Sequence, residues 1–303
     1  MSIIVVGSVF VDIKGHPEGS YIPGGRNAGR VAQVHGGVAR NIAEDIARAG
    51  GSPTFLGLVD DGALGQEVTD HLADVGVDTR YVRAAKDGMG IWLAVFDERG
   101  DVAASISRRP DLTLLQTILE EEGDGLFAGA ESVLFELDLE EETVEKLCEL
   151  AKRHRVPACA AVSNMTIAAE RRAYLPRLHC LVCNDQELAI LIPGPWEELE
   201  PETMAKAMPG LAAALGLPCL VATLGKRGAV WAEGKKCGFC PAEPVEPVDT
   251  AGAGDSFFAG VGLGLSLGKS LGEACKIGSR MAGKVITTNE SVCPPMTAEE
   301  LGL

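Results

Sequence analysis

Short apolar segments alternate with helical patterns along most of this chain. The apolar segments are typical of buried strands: Ile3–Val6, Thr54–Leu58, Ser132–Glu136, Cys159–Val162, Cys180–Val182 and Cys219–Thr223. Helical patterns fill the intervals between them, most clearly at Asn41–Ala49, Leu64–Val75 and Glu141–His154. Strands that alternate with helices favour a parallel sheet covered on both sides. We therefore expect an α/β fold with a doubly wound, mostly parallel sheet and helices on both faces.

Two longer stretches, Val9–His35 and Tyr81–Ser107, do not follow this alternation and have a β-like pattern. In the second stretch, Ile91–Phe96 and Val102–Ile106 flank Asp97–Asp101, a polar DERGD segment that is typical of a hairpin loop. We expect the two stretches to form a small β-sheet separate from the main sheet. No internal repeat is evident, so residues 1–303 are predicted to form one domain that carries this small sheet.

Composition limits the classes of partner. The chain has 303 residues, 46% of them hydrophobic, which is ample for a large core, and a formal net charge of −16. Such a charge argues against nucleic acid or an anionic membrane as a partner. The start, MSIIVVGSV, has no basic segment typical of a signal peptide, and no apolar run reaches the length of a transmembrane helix. Nine cysteines, an odd count, fit a reducing cytoplasm, where we expect the protein to reside.

Two CxxC pairs, Cys180–Cys183 and Cys237–Cys240, have a spacing that zinc sites also use. The first pair lies in an apolar, strand-like run, and cysteines three residues apart on a strand point to opposite faces. The second pair, CGFC, resembles a hairpin. We interpret both as core or loop thiols, with a metal or redox site as the alternative.

The segment Asp249–Phe258, DTAGAGDSFF, carries the strongest chemical signal. The small residues Ala251, Gly252, Ala253 and Gly254 let a backbone approach a ligand closely and turn its N–H groups toward it. A helix-like segment follows, and a helix start adds free N–H donors and partial positive charge. Asp255 lies at this helix entrance. An anion site beside a carboxylate suits phosphoryl transfer, whereas the alternative is a tight turn with an acidic cap.

Polar residues recur where the predicted strands end, which is the edge at which open parallel sheets bind ligands. These residues are Asp12, Asn41, Asp138, Asn184, Glu187, Thr223 and Lys226. Each alone has a simpler explanation, such as a helix cap for Asn41 or a solvated first-turn acid for Glu187. Their shared location favours one site.

Five motifs give the chain a resemblance to the ribokinase-like, PfkB-type carbohydrate and nucleoside kinases. In order they are GGVARNIAEDIARAG (Gly36–Gly50), GLVDDGALG (Gly57–Gly65), NDQE (Asn184–Glu187), TLGKRG (Thr223–Gly228) and DTAGAGD (Asp249–Asp255). The resemblance covers nearly the whole chain. It implies a doubly wound α/β domain with a β lid formed by Val9–His35 and Tyr81–Ser107, a homodimer through that lid, and ATP-dependent phosphorylation of a hydroxymethyl group on a sugar or nucleoside. It also implies use of Mg²⁺ and of K⁺.

The resemblance implies a role for each matching residue. Asp255 stands at the position of the catalytic base, next to the anion hole formed by Ala251, Gly252, Ala253 and Gly254. The acceptor-binding positions are Asp12, Gly37, Asn41 and Asp138. The nucleotide-binding positions are Asn184, Thr223 and Gly225. The metal positions are Glu187 and Asn184, which act on magnesium mostly indirectly, and Asp249, which matches a monovalent-cation site.

One departure bears on the acceptor. Ribokinase has Lys-Gly-Ala where this chain has Val38-Ala39-Arg40, and GGVARNIAE is most similar to the element of the pseudouridine kinases. The 5′-hydroxyl of pseudouridine is therefore the favoured acceptor, with ribokinase, fructokinase or another nucleoside kinase as alternatives. A binding protein without turnover is the alternative of another class. Arg108–Arg109 either clamps the substrate from the lid or is a solvated hairpin end.

Overall fold

The computed structural model describes residues 2–303, apart from the side chains of Met165, Thr166 and Ala168. Within this range the strands are β1 (Ile3–Gly7), β2 (Phe10–Pro17), β3 (Gly29–Gly36), β4 (Pro53–Val59), β5 (Asp78–Ala84), β6 (Gly90–Phe96), β7 (Val102–Arg108), β8 (Ser132–Glu136), β9 (Ala158–Ala161), β10 (Cys180–Asn184), β11 (Cys219–Thr223), β12 (Ala229–Glu233) and β13 (Lys236–Cys240). The α-helices are α1 (Val38–Arg48), α2 (Ala63–Asp74), α3 (Leu114–Phe127), α4 (Glu141–His154), α5 (Met165–Glu170), α6 (Asp185–Leu191), α7 (Pro201–Leu215), α8 (Ala253–Ser266), α9 (Leu271–Val285) and α10 (Ala298–Leu301).

The main sheet has the strand order β13-β12-β11-β10-β9-β8-β1-β4-β5. All of its pairings are parallel except those made by β12 and β13, which extend one edge as antiparallel strands. Successive residues of β1 point into two separate cores because strand side chains alternate. Helices α1, α2, α8 and α9 cover one face, and α3, α4 and α7 cover the other. The expected doubly wound α/β fold is therefore confirmed.

A separate sheet has the strand order β3-β2-β6-β7, as expected for a small β-sheet apart from the main one. Asp97–Asp101 connects β6 to β7 as a hairpin. The predicted second stretch began too early, because β5 pairs with β4 and belongs to the main sheet. Tyr81 packs into one core of the main sheet and Val82 into the other, so burial on both faces holds this strand there.

Further expectations concern local structure and metal or membrane features. The first helix begins at Val38, three residues before the predicted start at Asn41. Cys180 and Cys183 point into opposite cores, as expected for a strand. Among residues 2–303 no cluster of three or more acidic, histidine or cysteine side chains is placed to hold a metal ion. No helix in this range has the length and apolar character needed to cross a bilayer.

Candidate active site

A cavity of about 580 Å³ lies at the carboxyl ends of β1 and β8, between the main sheet and the small sheet. The chain winds away from β1 in opposite directions at this point, and such a switch point is where doubly wound sheets bind ligands. The cavity wall includes five of the residues singled out from sequence: Asp12, Gly37, Asn41, Asp138 and Asp255. Positions far apart in the chain therefore meet in one site.

Asp255 lies in the first turn of α8 and faces α1 across the cavity. The side-chain NH₂ of Asn41 donates a hydrogen bond to Asp255 Oδ2 at 2.8 Å. The pKa of Asp255 is raised to about 7, chiefly by burial; the Asn41 hydrogen bond opposes the rise, and the neighbouring Asp45 and Glu136 carboxylates contribute to it. A carboxylate with a pKa near neutrality can accept a proton and release it again at physiological pH.

The start of α8 offers free backbone donors beside this carboxylate. Within the part of the chain that the structure describes, the N–H groups of Gly252, Gly254 and Asp255 have no hydrogen-bond partner. The N–H of Ala251 is not free, because it donates to Asp249 Oδ1 at 2.9 Å, and that of Ala253 reaches the Thr250 carbonyl at 3.3 Å. The free N–H donors therefore differ from the predicted Ala251–Gly254 set and include that of Asp255 itself.

A second buried acid, Glu136, ends β8 on the cavity floor and was not singled out from sequence. Its Oε1 accepts hydrogen bonds from the N–H and the hydroxyl of Ser8, at 2.6 and 2.8 Å, and from the N–H of Ala39 at 3.2 Å. Burial, followed by the charge of Asp138, raises the pKa of Glu136. Glu136 thus ties the ends of β1 and β8 to the start of α1. An acid that ends an otherwise apolar strand is the sequence signal that could have found it.

The outer wall of the cavity comes from both sheets. Asp12 was expected to close the first strand region but lies on β2 of the small sheet, where burial raises its pKa. Asp138 accepts a 2.7 Å hydrogen bond from the Ser163 hydroxyl. Phe10 and Val38 add apolar surface between these acids. The wall therefore combines acceptors for hydroxyl groups with a flat apolar contact.

Four of the five predicted nucleotide and metal residues lie along the same sheet edge but outside the cavity wall, whereas the fifth, Asp249, lies in the loop before α8. Asn184 and Glu187 form a reciprocal capping box at the start of α6, with both bonds at 2.7 Å. Thr223 ends β11 opposite Asn184, and Gly225 follows it. Asn184 is therefore a helix cap, whereas Glu187 is buried and is not the solvated first-turn acid of the simpler explanation.

The surroundings of Glu187 bear on the predicted magnesium site. The pKa of Glu187 is raised to about 7, chiefly by burial; the hydrogen bond from the Asn184 N–H opposes the rise, and the Asp138 and Asp185 charges contribute to it. An acid in such surroundings is stabilised when a cation binds next to it. Mg²⁺ keeps several waters and phosphate oxygens as ligands, so a single buried acid at this edge would be compatible with it.

Arg108 and Arg109 have different surroundings. Arg108 donates to Asp60 Oδ2 at 3.0 Å and to the Met89 carbonyl at 2.9 Å, and it also pairs with Asp87. It therefore fastens the end of β7 to the main domain and is not a solvated hairpin end. Arg109 is exposed, lines the cavity and makes no ion pair with any residue in the described range.

Comparisons with known proteins identify the family of the chain. Residues 1–297 match the pfkB family of carbohydrate kinases. The chain is 32% identical over 304 residues to the guanosine-inosine kinase of Exiguobacterium acetylicum, an alignment that covers 99% of each protein. It is 29% identical over 254 residues to the ribokinase of Bacillus subtilis strain 168, covering 82% of this chain and 80% of that relative.

The fold has solved counterparts. Arabidopsis thaliana ribokinase, in a complex with ribose and ATP, superimposes with a TM-score of 0.83 at 22% identity and covers 99% of this chain and 97% of its own. At that identity the likeness shows the fold, whereas the match over residues 1–297 shows the family. The chain therefore belongs to the pfkB family of carbohydrate kinases and is a sugar or nucleoside kinase.

Proposed function

We propose that this kinase transfers the γ-phosphoryl group of ATP to the 5′-hydroxyl of a ribonucleoside. The observation that carries the proposal is the position of Asp255, which lies next to free N–H groups at the start of α8 and also lines a cavity whose walls offer both carboxylates and apolar surface. A bare sugar needs only the carboxylates. Phe10, Val38 and Leu112 give a planar base a surface to lie against.

The chemistry follows from the positions of these groups. Asp255 accepts the proton of the acceptor hydroxyl as the hydroxyl oxygen attacks the γ-phosphorus. The bond from that phosphorus to the bridging oxygen of ADP breaks, and ADP leaves with the bonding electrons. The N–H groups of Gly252, Gly254 and Asp255 stabilise the charge on the equatorial oxygens in the transition state. Mg²⁺ would neutralise charge on the phosphates, with Glu187 and Asn184 beside it.

Two observations support the proposal for the nucleobase of the acceptor. Similarity to a guanosine-inosine kinase along 99% of both chains favours a 6-oxopurine ribonucleoside. The element GGVARNIAE supports pseudouridine as the second candidate. Both bases present a carbonyl beside a ring N–H, which a guanidinium and a carboxylate can read as donor and acceptor. Arg109 and Glu140 line the cavity and offer this pair, so adenosine should be a poorer acceptor than inosine.

The acceptor prediction is tested by steady-state kcat/KM for guanosine, inosine, pseudouridine, uridine, adenosine, ribose and fructose, each measured with and without MgCl₂. We expect a 6-oxopurine nucleoside to exceed ribose by at least about tenfold, or 1.4 kcal/mol, and to lose turnover without Mg²⁺. Preference for ribose or fructose by that factor would refute the nucleoside assignment. Thermal stabilisation by nucleoside and ATP without ADP release would instead indicate a binding protein.

We propose further that the small sheet closes over the acceptor. Its strands supply Asp12 from β2 and Ser107 from β7 to the cavity, so acceptor contacts would draw it toward the main sheet. Closure would exclude water and suppress ATP hydrolysis. Hydrogen exchange in β2 and β7 should slow when the preferred acceptor is added. Equal exchange with and without that acceptor would refute closure.

A further inference from the structure

The helix α1 carries a buried polar face that the proposed chemistry does not yet explain. Arg40, Glu44 and Asp45 are all buried, and the side chains of Arg40 and Glu44 are only 4% and 0% exposed. Burying charges is costly unless they are paired. Arg40 is also one of the three residues, with Val38 and Ala39, that depart from ribokinase in the glycine-rich element. A buried guanidinium one residue before a cavity residue therefore needs an explanation.

The Arg40 guanidinium donates to two residues of α1 and to the end of β3. Its Nη2 pairs with Glu44, and its Nη1 donates to the His35 carbonyl at 3.2 Å and to Asn41 Oδ1 at 3.0 Å. An arginine side chain can only donate. The Asn41 oxygen must therefore face Arg40, which leaves the Asn41 NH₂ to face Asp255 Oδ2 at 2.8 Å.

We propose that Arg40 is a positioning residue: it holds the Asn41 carboxamide in the one orientation that donates to Asp255, and so favours the ionised, proton-accepting form of that carboxylate. A flipped amide would place NH₂ against the guanidinium and the oxygen against the carboxylate. Such an oxygen accepts a hydrogen bond only from a protonated Asp255, so the flip would favour the inactive form. The inference rests on the proposed role of Asp255 as the base.

The effect of the Asn41 orientation must be separated from that of the other charged side chains around Asp255 and Arg40. Those facing Asp255 are Asp45 on α1 and Glu136 on β8. Those facing Arg40 are Glu44, Asp45 and Arg48 on α1 and His35 on β3, with His71 on α2 reaching Glu44. Arg48 provides a matched control, because it pairs with the same Glu44 on the same helix but makes no contact with Asn41.

The test is a titration that needs no turnover. The Cγ signal of Asp255, in protein labelled with ¹³Cγ-aspartate, is assigned by its loss in Asp255→Asn. We expect Arg40→Met to raise the titration midpoint of Asp255 by about one pH unit, or tenfold in acid dissociation, and Arg48→Met to leave it unchanged. Glu44 keeps Arg48 and His71 as partners in Arg40→Met, so the variant should fold. If it does not, Arg40→Lys retains the charge and should give a smaller shift in the same direction.

A double-mutant cycle distinguishes positioning from simple loss of a nearby charge. In the Asn41→Ala background, Arg40→Met should no longer move the Asp255 midpoint. An equal shift with and without Asn41, or none in either, would overturn the proposal. Because the readout is the titration of Asp255, the proposal is decided even if no acceptor on the panel is phosphorylated. Where turnover is found, the acidic limb of the kcat profile should move with the midpoint.

Discussion

Asp255→Asn is expected to lower kcat by about 10²- to 10⁴-fold, the usual cost of removing a general base. The amide cannot take the proton of the attacking hydroxyl, but it retains the shape of the carboxyl group and can still accept from Asn41. Binding of ATP at the start of α8 should therefore persist, and single-turnover kinetics should assign the loss to the chemical step. A variant with near-native kcat would show that Asp255 is not the base.

The same variant makes a prediction about stability. The folded pKa of Asp255 is raised to about 7, above its value in an unfolded chain, so the folded protein holds this proton more tightly. That contribution is complete below about pH 4 and is lost as the pH rises through 7. The asparagine side chain does not titrate, so the variant loses no stability from this position over that range. The Tm of the variant minus that of wild type should therefore increase from pH 5 to pH 8. A Tm difference that stays constant over this range would contradict the raised pKa of Asp255.

Gly252→Ala is the second change with a large expected effect. Gly252 has φ +77°, and a Cβ there would lie 1.9 Å from the backbone oxygen of Ser291. Backbone cannot yield as a flexible side chain can, and a left-handed residue other than glycine adds strain of about 1–3 kcal/mol. We expect a lower Tm together with a lower kcat and a higher KM for ATP, because the N–H donors at the start of α8 would be displaced.

Gly254→Ala is the matched control for stability. It lies two residues further on, within the first turn of α8, and nothing stands within 4 Å of the position that its Cβ would occupy. Its Tm should equal that of wild type or exceed it, since alanine favours a helix over glycine by about 1 kcal/mol. A Gly252→Ala protein with the Tm and kcat of wild type would show that this turn tolerates a side chain and does not shape the anion site.

Local features of the chain could be predicted because their causes are local. Ser132–Glu136 and Glu141–His154 coincide with β8 and α4, since an apolar run and a 3.6-residue periodicity are properties of neighbouring residues. The Asp249–Asp255 motif placed a carboxylate at the start of a helix for the same reason. The hairpin at Asp97–Asp101 also followed from adjacent residues.

Pairings across the chain could not be predicted in this way. Strand β5 has a half-exposed pattern that suits either sheet, and only its packing between the two cores of the main domain places it beside β4. Glu136 is bonded to Ser8 across 128 residues, and no sequence pattern records that contact. The Ala251 N–H is occupied by its hydrogen bond to Asp249, and this bond depends on the loop conformation. The motif alone could therefore not show that this donor is not free.

The sequence by itself determined the alternation of strands and helices, the edge of the sheet where polar residues gather, and the place of Asp255 at the start of a helix, because each depends on residues near one another in the chain. Only the tertiary structure decided which partners those residues have. Asn41 and Asp255 are separated by 214 positions, yet their 2.8 Å hydrogen bond depends on how α1 packs against α8. Burial, charge and orientation at the candidate site arise from that packing, and they set the proton affinity on which its chemistry depends.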